Sequence, residues 1–346
     1  IMSISTGSSW TTIGTIGIAF LGIGYGLGIP VGITAGAIIC GAYFGDKQSP
    51  VSDSTNFAAA VAKTDLYAHT RSMVYSTAPS FIISLVIFTI IGARYHIASI
   101  DESQLLQITS GIQQVFKLTP ILLVPLIVMT VMIIKKMPAI PTMLIAIGIA
   151  ILEMFIFQHQ SFSEILSYMY SGFISNTGNA AVDRLLTRGG LTSMTSTVAL
   201  MFMSLMMAGL MQSTNIMDSV LNKLGKATSS QFGLIATTLI SCILLSYFAA
   251  DPYLAMLIPA NVLGKKYDDL GLDRSVLSRT LEDGATIICP MVPWGTNGIY
   301  CASTLGISVL TYLPYYFMGF LTPLFSLVLA FTGIGIKKKK KETGNA

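Results

Sequence analysis

A polar segment that could bind an ion follows the apolar stretch 29–44. It places a proline among acids, hydroxyls and an amide, and it reads Gly45-Asp46-Lys47-Gln48-Ser49-Pro50-Val51-Ser52-Asp53-Ser54-Thr55-Asn56. A proline breaks a helix and frees backbone carbonyls, and carbonyls, carboxylates and hydroxyls are ligands for hard cations such as sodium. The residues that we predict to bind an ion or a proton are Asp46, Ser49, Ser52, Asp53, Thr55 and Asn56. The alternative is a surface loop capped by Asp and Ser, with Asp46 and Lys47 as a structural ion pair.

A second segment of similar character lies near the other end of the chain. It reads Leu281-Glu282-Asp283-Gly284-Ala285-Thr286-Ile287-Ile288-Cys289-Pro290, followed closely by Pro293-Trp294-Gly295-Thr296-Asn297. Adjacent helical side chains point about 100° apart, so Glu282 and Asp283 cannot face one ligand equally. We predict that Asp283 joins Thr286 and either Thr296 or Asn297 in a polar cluster. Glu282 is expected to face the cytoplasmic entrance. The alternative interpretation is charge at a helix terminus near the membrane surface.

Two further ionisable residues lie outside these segments. Asp251 occurs in Ala249-Ala250-Asp251-Pro252, where it could bind an ion or cap a hairpin. His69 could sense pH, although a solvated histidine at the membrane interface is the more ordinary interpretation.

These acids suggest a mechanism because a partly desolvated carboxylate favours its neutral form. A proton and a cation then exclude each other on the same group, which is the minimal mechanism of antiport. We predict Asp53 and Asp283 as the carboxylate ligands of sodium. The residue types leave open whether Asp46 or Asp53 exchanges the proton.

The composition requires a membrane to surround these segments. Of the 346 residues, 53% are hydrophobic and only 10% are charged, which excludes an ordinary soluble domain. Continuous apolar stretches long enough, or nearly long enough, to cross a bilayer as helices are 72–91, 138–157, 195–211, 232–249 and 312–336. A transmembrane barrel would alternate apolar and polar residues instead. The sequence therefore predicts an all-α polytopic membrane protein whose main partner is the lipid bilayer.

The placement of basic residues predicts the orientation of the chain. The lysine run 337–341 puts the carboxyl terminus in the cytoplasm and does not indicate a nucleic-acid partner. Lysines on both sides of 232–263 place its two ends on one face of the membrane. That stretch should therefore be a re-entrant hairpin with Asp251 at its tip. The four cysteines show no metal-ligand spacing.

An internal repeat relates the two polar segments. Ser49-Pro50-Val51 with Ser54-Thr55-Asn56 resembles Cys289-Pro290-Met291 with Gly295-Thr296-Asn297 at nearly the same spacing, and Gly7-Ser8-Ser9-Trp10 corresponds to Ala250-Asp251-Pro252-Tyr253. The copies should cross the membrane in opposite directions, as in secondary transporters with re-entrant hairpins and broken helices. We predict a first core at 1–91, scaffold helices at 92–194, a second core at 195–336 and a basic tail at 337–346. The incoming arm of the first hairpin is expected upstream of residue 1.

The two polar segments closely resemble the signatures of the NhaC family of sodium/proton antiporters, and the resemblance extends over most of the chain. It implies a bacterial inner-membrane transporter, not an enzyme, that exchanges sodium for protons. It also implies that the protein has no cofactor and that Na⁺ and H⁺ are the transported ions. Relatives with the same motifs exchange malate and lactate, so an organic acid is the alternative cargo. The family is usually longer at its amino terminus.

Two other classes of function are alternatives to antiport. An intramembrane aspartyl protease would need two carboxylates that share a proton, here Asp46 or Asp53 with Asp251 or Asp283. A passive channel suits inverted hairpins less well than alternating access does. A homodimer is compatible with the sequence.

Overall fold

The computed structural model describes residues 1–95, 102–135, 137, 139–178, 182–183, 186–187, 189–214 and 230–338. The regular elements within these ranges are all helices, which confirms the predicted all-α class. The α-helices are α1 (Met2–Thr6), α2 (Ser9–Thr12), α3 (Ile18–Gly26), α4 (Val31–Gln48), α5 (Asp53–Ala62), α6 (Leu66–Arg94), α7 (Glu102–Val115), α8 (Val124–Ile134), α9 (Ala139–Ile156), α10 (Phe162–Ser171), α11 (Thr195–Ser213), α12 (Gln231–Phe248), α13 (Pro252–Asp269), α14 (Arg274–Gly284), α15 (Thr296–Leu305), α16 (Val309–Tyr312) and α17 (Phe317–Thr332).

The chain forms two compact units. The first unit contains residues 1–21, 31–94 and 199–346, and the second contains 22–30 and 95–198. In the first unit α14 packs against α5, α6, α12 and α13. In the second unit α9 packs against α8 and α10. Both predicted polar segments therefore lie in the first unit.

Both predicted helix breaks are present in the first unit. Helix α4 continues through Asp46 and Lys47 to Gln48, so the first break lies at 49–52, around Pro50, and is shorter than the polar segment that predicted it. The second break separates α14 from α15 and contains a 3₁₀ turn at Cys289–Met291. The break packs closely against the start of α15, because a Cβ on Gly298 would collide with the Val292 carbonyl oxygen. Such irregular backbone is tolerated at membrane depth only where protein or a cavity surrounds it.

The predicted hairpin consists of α12 and α13. The chain turns at Ala249–Asp251, where Ala250 adopts φ of 57°, a left-handed conformation that is uncommon outside glycine. Asp251 is the N-cap of α13, and its Oδ1 accepts a hydrogen bond of 2.9 Å from the Leu254 amide. The capping interpretation of Asp251 is thus confirmed, and Pro252 occupies the first turn, where no intrahelical donor is lost.

In the part of the chain that the structure describes, two helices, Leu66–Arg94 and Gln231–Phe248, are long and apolar enough to cross a bilayer. Two further pairs would reach that length only across a bend, one at residues 109–132 with an angle of 92° and one at 309–332 with an angle of 51°. The span predicted at 312–336 is therefore bent near its start, and its helix ends at Thr332. Pro314 and the non-helical Tyr316 interrupt it, and α17 begins at Phe317.

The bend before α17 packs closely against α4. A Cβ on Gly36 would lie 2.6 Å from the Tyr315 carbonyl oxygen, whereas a Cβ on Gly41 in the same helix would meet nothing within 4 Å. We expect Gly36→Ala to lower the free energy of unfolding by about 1–3 kcal/mol, because the backbone must shift. Gly41→Ala should be neutral or stabilise the helix by up to about 1 kcal/mol. Thermal unfolding in detergent distinguishes the two variants, and equal effects would contradict the close contact.

Candidate functional site

A cavity of about 410 Å³ lies in the first unit where the two broken helices and the hairpin tip meet. Its lining includes three carboxylates, Asp46, Asp53 and Asp251. The other polar or aromatic lining residues are Ser8, Ser9, Trp10, Tyr43, Ser54, Tyr253, Thr286, Thr296 and Asn297. Six of the eleven predicted site residues thus face one cavity, and they come from both predicted cores. Among the described lining residues none is a lysine or an arginine, so the cavity attracts cations.

Asp46 and Asp53 differ in their surroundings. Asp46 is buried in the last turn of α4, and its Oδ1 accepts a hydrogen bond of 2.6 Å from the Ser52 hydroxyl. Asp53 is exposed at the start of α5, where its Oδ2 accepts a hydrogen bond of 2.6 Å from the Tyr253 hydroxyl. Burial therefore removes more hydrating water from Asp46 than from Asp53. The negative charge of Asp46 is consequently more in need of neutralisation by a bound cation or a proton.

The two predicted cores contact each other in a reciprocal way at this cavity. Trp10 of the first core donates a hydrogen bond of 3.0 Å to Asn297 of the second and stacks on Tyr300 at 4.1 Å between ring centroids. Tyr253, which corresponds to Trp10 in the repeat, donates to Asp53 and packs edge-on against Phe57 of the first core. An inverted repeat would produce such an exchange of contacts. The repeat itself remains a prediction.

Asp283 lies behind the cavity wall in a buried ion pair with Lys47, and both side chains are fully buried. The structure therefore does not pair Lys47 with its neighbour Asp46, because the last turn of α4 directs the ammonium towards α14. Asp283 Oδ1 also accepts a hydrogen bond of 3.0 Å from the Ser76 hydroxyl. Its Oδ2, and the hydroxyl of Thr286, are buried without a hydrogen-bond partner among the described residues. Thr286 also lines the cavity, and it is three residues after Asp283 in the chain.

A hydrogen-bonded chain leads from the cavity to His69. The Ser52 and Ser54 hydroxyls lie 3.1 Å apart, and Ser54 donates to Glu282 Oε1 at 3.1 Å. Glu282 Oε2 and His69 Nε2 are 2.9 Å apart, and His69 Nδ1 lies 2.7 Å from the Ser278 hydroxyl. These side chains are all buried.

This arrangement corrects two expectations. Glu282 does not face an aqueous entrance, and His69 is not a solvated interfacial residue, because each is fully buried. The physical reason is that α14 is enclosed by α5 and α6, so the helix faces carrying Glu282 and Ser278 meet His69 rather than water. The spacing of Ser278 and Glu282, four residues apart on one helix face, was the available sequence signal.

The remaining predicted residues stabilise the first break. Ser49 donates a hydrogen bond of 2.6 Å to the Ile4 carbonyl, and Asn56 donates one of 2.7 Å to the Ser52 carbonyl. Thr55 donates to the Lys47 carbonyl at 3.3 Å. Ser49 and Thr55 are fully buried, and none of the three is among the described residues that line the cavity. Sequence reasoning missed Tyr43, Ser54 and Tyr253, which do line it.

The cavity carboxylates do not converge on one point. Among the residues that the structure describes, no group of three His, Cys, Asp or Glu side chains is close enough to hold one metal ion. A sodium ion bound among the described residues would therefore have at most two of these acids as ligands and would complete its shell with hydroxyl, amide, carbonyl or water oxygens. Sodium accepts such mixed oxygen shells, as other hard cations do.

Comparisons with known proteins agree over nearly the whole chain. A family model described as the Na⁺/H⁺ antiporter family matches residues 41–334. A Na⁺/H⁺ antiporter NhaC of Alkalihalophilus pseudofirmus is 36% identical over 98% of this chain and 73% of the relative. A malate-2H⁺/Na⁺-lactate antiporter of Bacillus subtilis is 35% identical over 100% and 74%, and an arginine/ornithine antiporter of Halobacterium salinarum is 36% identical over 99% and 71%. No solved structure matches the chain.

Proposed function

The chain belongs to the Na⁺/H⁺ antiporter family, and we propose on that premise that it exchanges sodium ions for protons across a membrane by letting them compete for carboxylates of the cavity. The observation that carries the proposal is the convergence of Asp46, Asp53 and Asp251 on one cavity with no described basic residue in its lining. Such a lining retains a cation and releases it when a carboxylate takes up a proton.

Asp46 is the proposed exchanging acid. It is buried and accepts a hydrogen bond from Ser52, so water solvates its charge only weakly, and either a bound sodium ion or a proton must neutralise that charge. Asp53, with its second oxygen held by Tyr253, is the proposed first sodium ligand because it is the more accessible of the two. Thr296 and Asn297 supply further oxygens from the second core.

Asp283 is the proposed second sodium ligand, reached only when Lys47 moves away from it. Lys47 occupies the position of a cation beside Asp283 Oδ1, while Oδ2 has no partner among the described residues. A sodium ion that passes Thr286 would compete with the ammonium for that carboxylate.

The charge of the cavity lining favours a cation over an organic acid as the cargo. Malate and lactate are anions, and three carboxylates would repel them in a cavity whose described lining has no arginine or lysine. The relatives include both an organic-acid and an amino-acid antiporter by name. The acidic lining supports inorganic or organic cations as the cargo and argues against the malate/lactate alternative.

Reconstituted transport tests the proposed function. Proteoliposomes that contain the 346-residue chain and a pH-sensitive dye should show proton movement when sodium is added outside, at a rate that exceeds empty liposomes. Labelled malate, lactate and arginine are offered in parallel. Sodium-dependent proton movement without malate or lactate uptake supports the proposal. Organic-acid uptake, or no response to sodium, lithium or potassium, would overturn it.

The protease alternative has no support in the described contacts. Asp46 is hydrogen-bonded to Ser52, Asp53 to Tyr253 and Ser54, and Asp251 to Leu254. Within the described residues no two of these acids share a hydrogen bond, as a catalytic pair of carboxylates would.

We also propose that the protein lies in a bacterial cell membrane with its carboxyl terminus in the cytoplasm, and that it forms a homodimer.

A further inference from the structure

A second cavity, in the other unit, surrounds one buried acid. It has a volume of about 530 Å³ and lies among α8, α9, α10 and the segments that follow α7 and α10. Its described lining is mostly apolar, with Glu153 of α9 as the acidic member. A cavity of this size accommodates a small organic molecule. The sodium/proton exchange proposed above makes no use of it.

One carboxylate oxygen of Glu153 is buried without a hydrogen-bond partner among the described residues. The Glu153 side chain is only 7% exposed, and the oxygen without a partner is Oε1. Two neighbouring amides that line the cavity are engaged elsewhere. Gln158 bonds to both the amide and the carbonyl of Lys117, and Gln160 accepts a hydrogen bond from Tyr168. A buried carboxylate oxygen without a hydrogen bond is costly, so a positively charged ligand would be favoured beside it.

The rest of the lining selects the kind of cation. Phe116, Tyr168 and Phe173 form an aromatic cluster, with ring centroids 5.2 Å apart for Phe116–Phe173 and 5.4 Å apart for Tyr168–Phe173. Aromatic rings attract organic ammonium groups and pack against apolar bodies. A bare metal ion would find too few free oxygens here, because hard cations take about six or more. Among the described lining residues none is basic, so an anion is disfavoured.

We propose that this cavity is a second binding site, which takes an amphiphilic organic cation, an ammonium group attached to an aromatic or short alkyl body. The ammonium pairs with Glu153 and the apolar body packs on the aromatic cluster. The site is independent of the three cavity carboxylates of the first unit.

Binding of 2-phenylethylammonium to the full chain in nanodiscs tests the proposal by calorimetric titration. We expect saturable binding of the amine. Neutral 2-phenylethanol should bind at least about tenfold less tightly than the amine, because it lacks the charge that Glu153 attracts. Glu153→Gln should weaken binding of the amine at least about tenfold and leave the alcohol unchanged. Glu164→Gln, on the surface of the same unit, should bind like the original chain, since Gln also serves in its capping box. Asp46→Asn should bind equally, which separates this site from the first cavity.

Equal binding of amine and alcohol, or of Glu153→Gln and the original chain, would overturn the proposal. Loss of binding in Asp46→Asn would do the same by assigning the amine to the first cavity. If Glu153→Gln does not fold, Phe173→Leu provides the test, because it keeps the carboxylate and removes the central ring. Phe173→Leu should weaken binding of the amine several-fold, and an unchanged affinity for the amine would contradict the proposed site. A failure of sodium/proton exchange in liposomes would leave these results unaffected.

Discussion

Asp46→Asn should abolish sodium-driven proton movement, with a loss of about 10²-fold or more. Asparagine has nearly the same shape and can still accept the hydrogen bond from Ser52, so the first break should persist. It can neither take up a proton nor neutralise a sodium ion. Initial rates of proton movement in proteoliposomes, normalised to the amount of inserted protein, provide the measurement.

Asp65→Asn is the matched control for this variant. Asp65 is an exposed acid of the same unit that accepts a hydrogen bond from the Ala68 amide at the start of α6, and asparagine serves equally well at such a position. Its rate should match that of the unchanged chain. Substantial exchange in Asp46→Asn would show that another acid carries the proton, with Asp53 the next to examine.

Lys47→Met should destabilise the protein by about 3–5 kcal/mol, because it leaves the Asp283 carboxylate buried without its counter-charge. The double variant Lys47→Met/Asp283→Leu should recover much of that loss, since a buried ion pair can be replaced by apolar groups at little cost. Thermal unfolding in a single detergent, followed by tryptophan fluorescence, gives the three stabilities.

Arg274→Met provides the comparison for an ion pair that water reaches. Arg274 and Asp268 are 2.5 Å apart, with 24% and 34% of their side chains exposed. Losing such a pair costs about 0–1 kcal/mol. If Lys47→Met cost no more than Arg274→Met, the ammonium would not be holding Asp283, and the proposed competition between Lys47 and sodium would lose its basis.

Local sequence patterns were sufficient to predict much of the fold. Long apolar stretches predicted α6 and α12, the Asp-Pro pair predicted the turn into α13, and Pro50 predicted the break after α4. These features depend on residues close together in the chain. The bend before α17 was not predicted, although Pro314 was a local sign of it, because the surrounding stretch is apolar throughout.

The candidate site was predictable only in part. The acids of both polar segments stood out because charge is rare in apolar surroundings. Their partners did not, since Lys47 and Asp283 are 236 residues apart and His69 and Glu282 are 213 apart. Which side chains meet across such distances depends on how α14 packs between α5 and α6. Tyr43 and Tyr253 were missed because an aromatic residue in an apolar helix ordinarily packs in a core.

The pH dependence of sodium affinity tests most directly whether a proton and a sodium ion occupy the same carboxylate. The measurement is the apparent KM for sodium in proteoliposomes at several pH values, together with the maximal rate. Competition predicts that acidification raises the KM by up to about tenfold per pH unit while the maximal rate at saturating sodium stays constant. A KM that is independent of pH while the maximal rate falls would contradict a shared site.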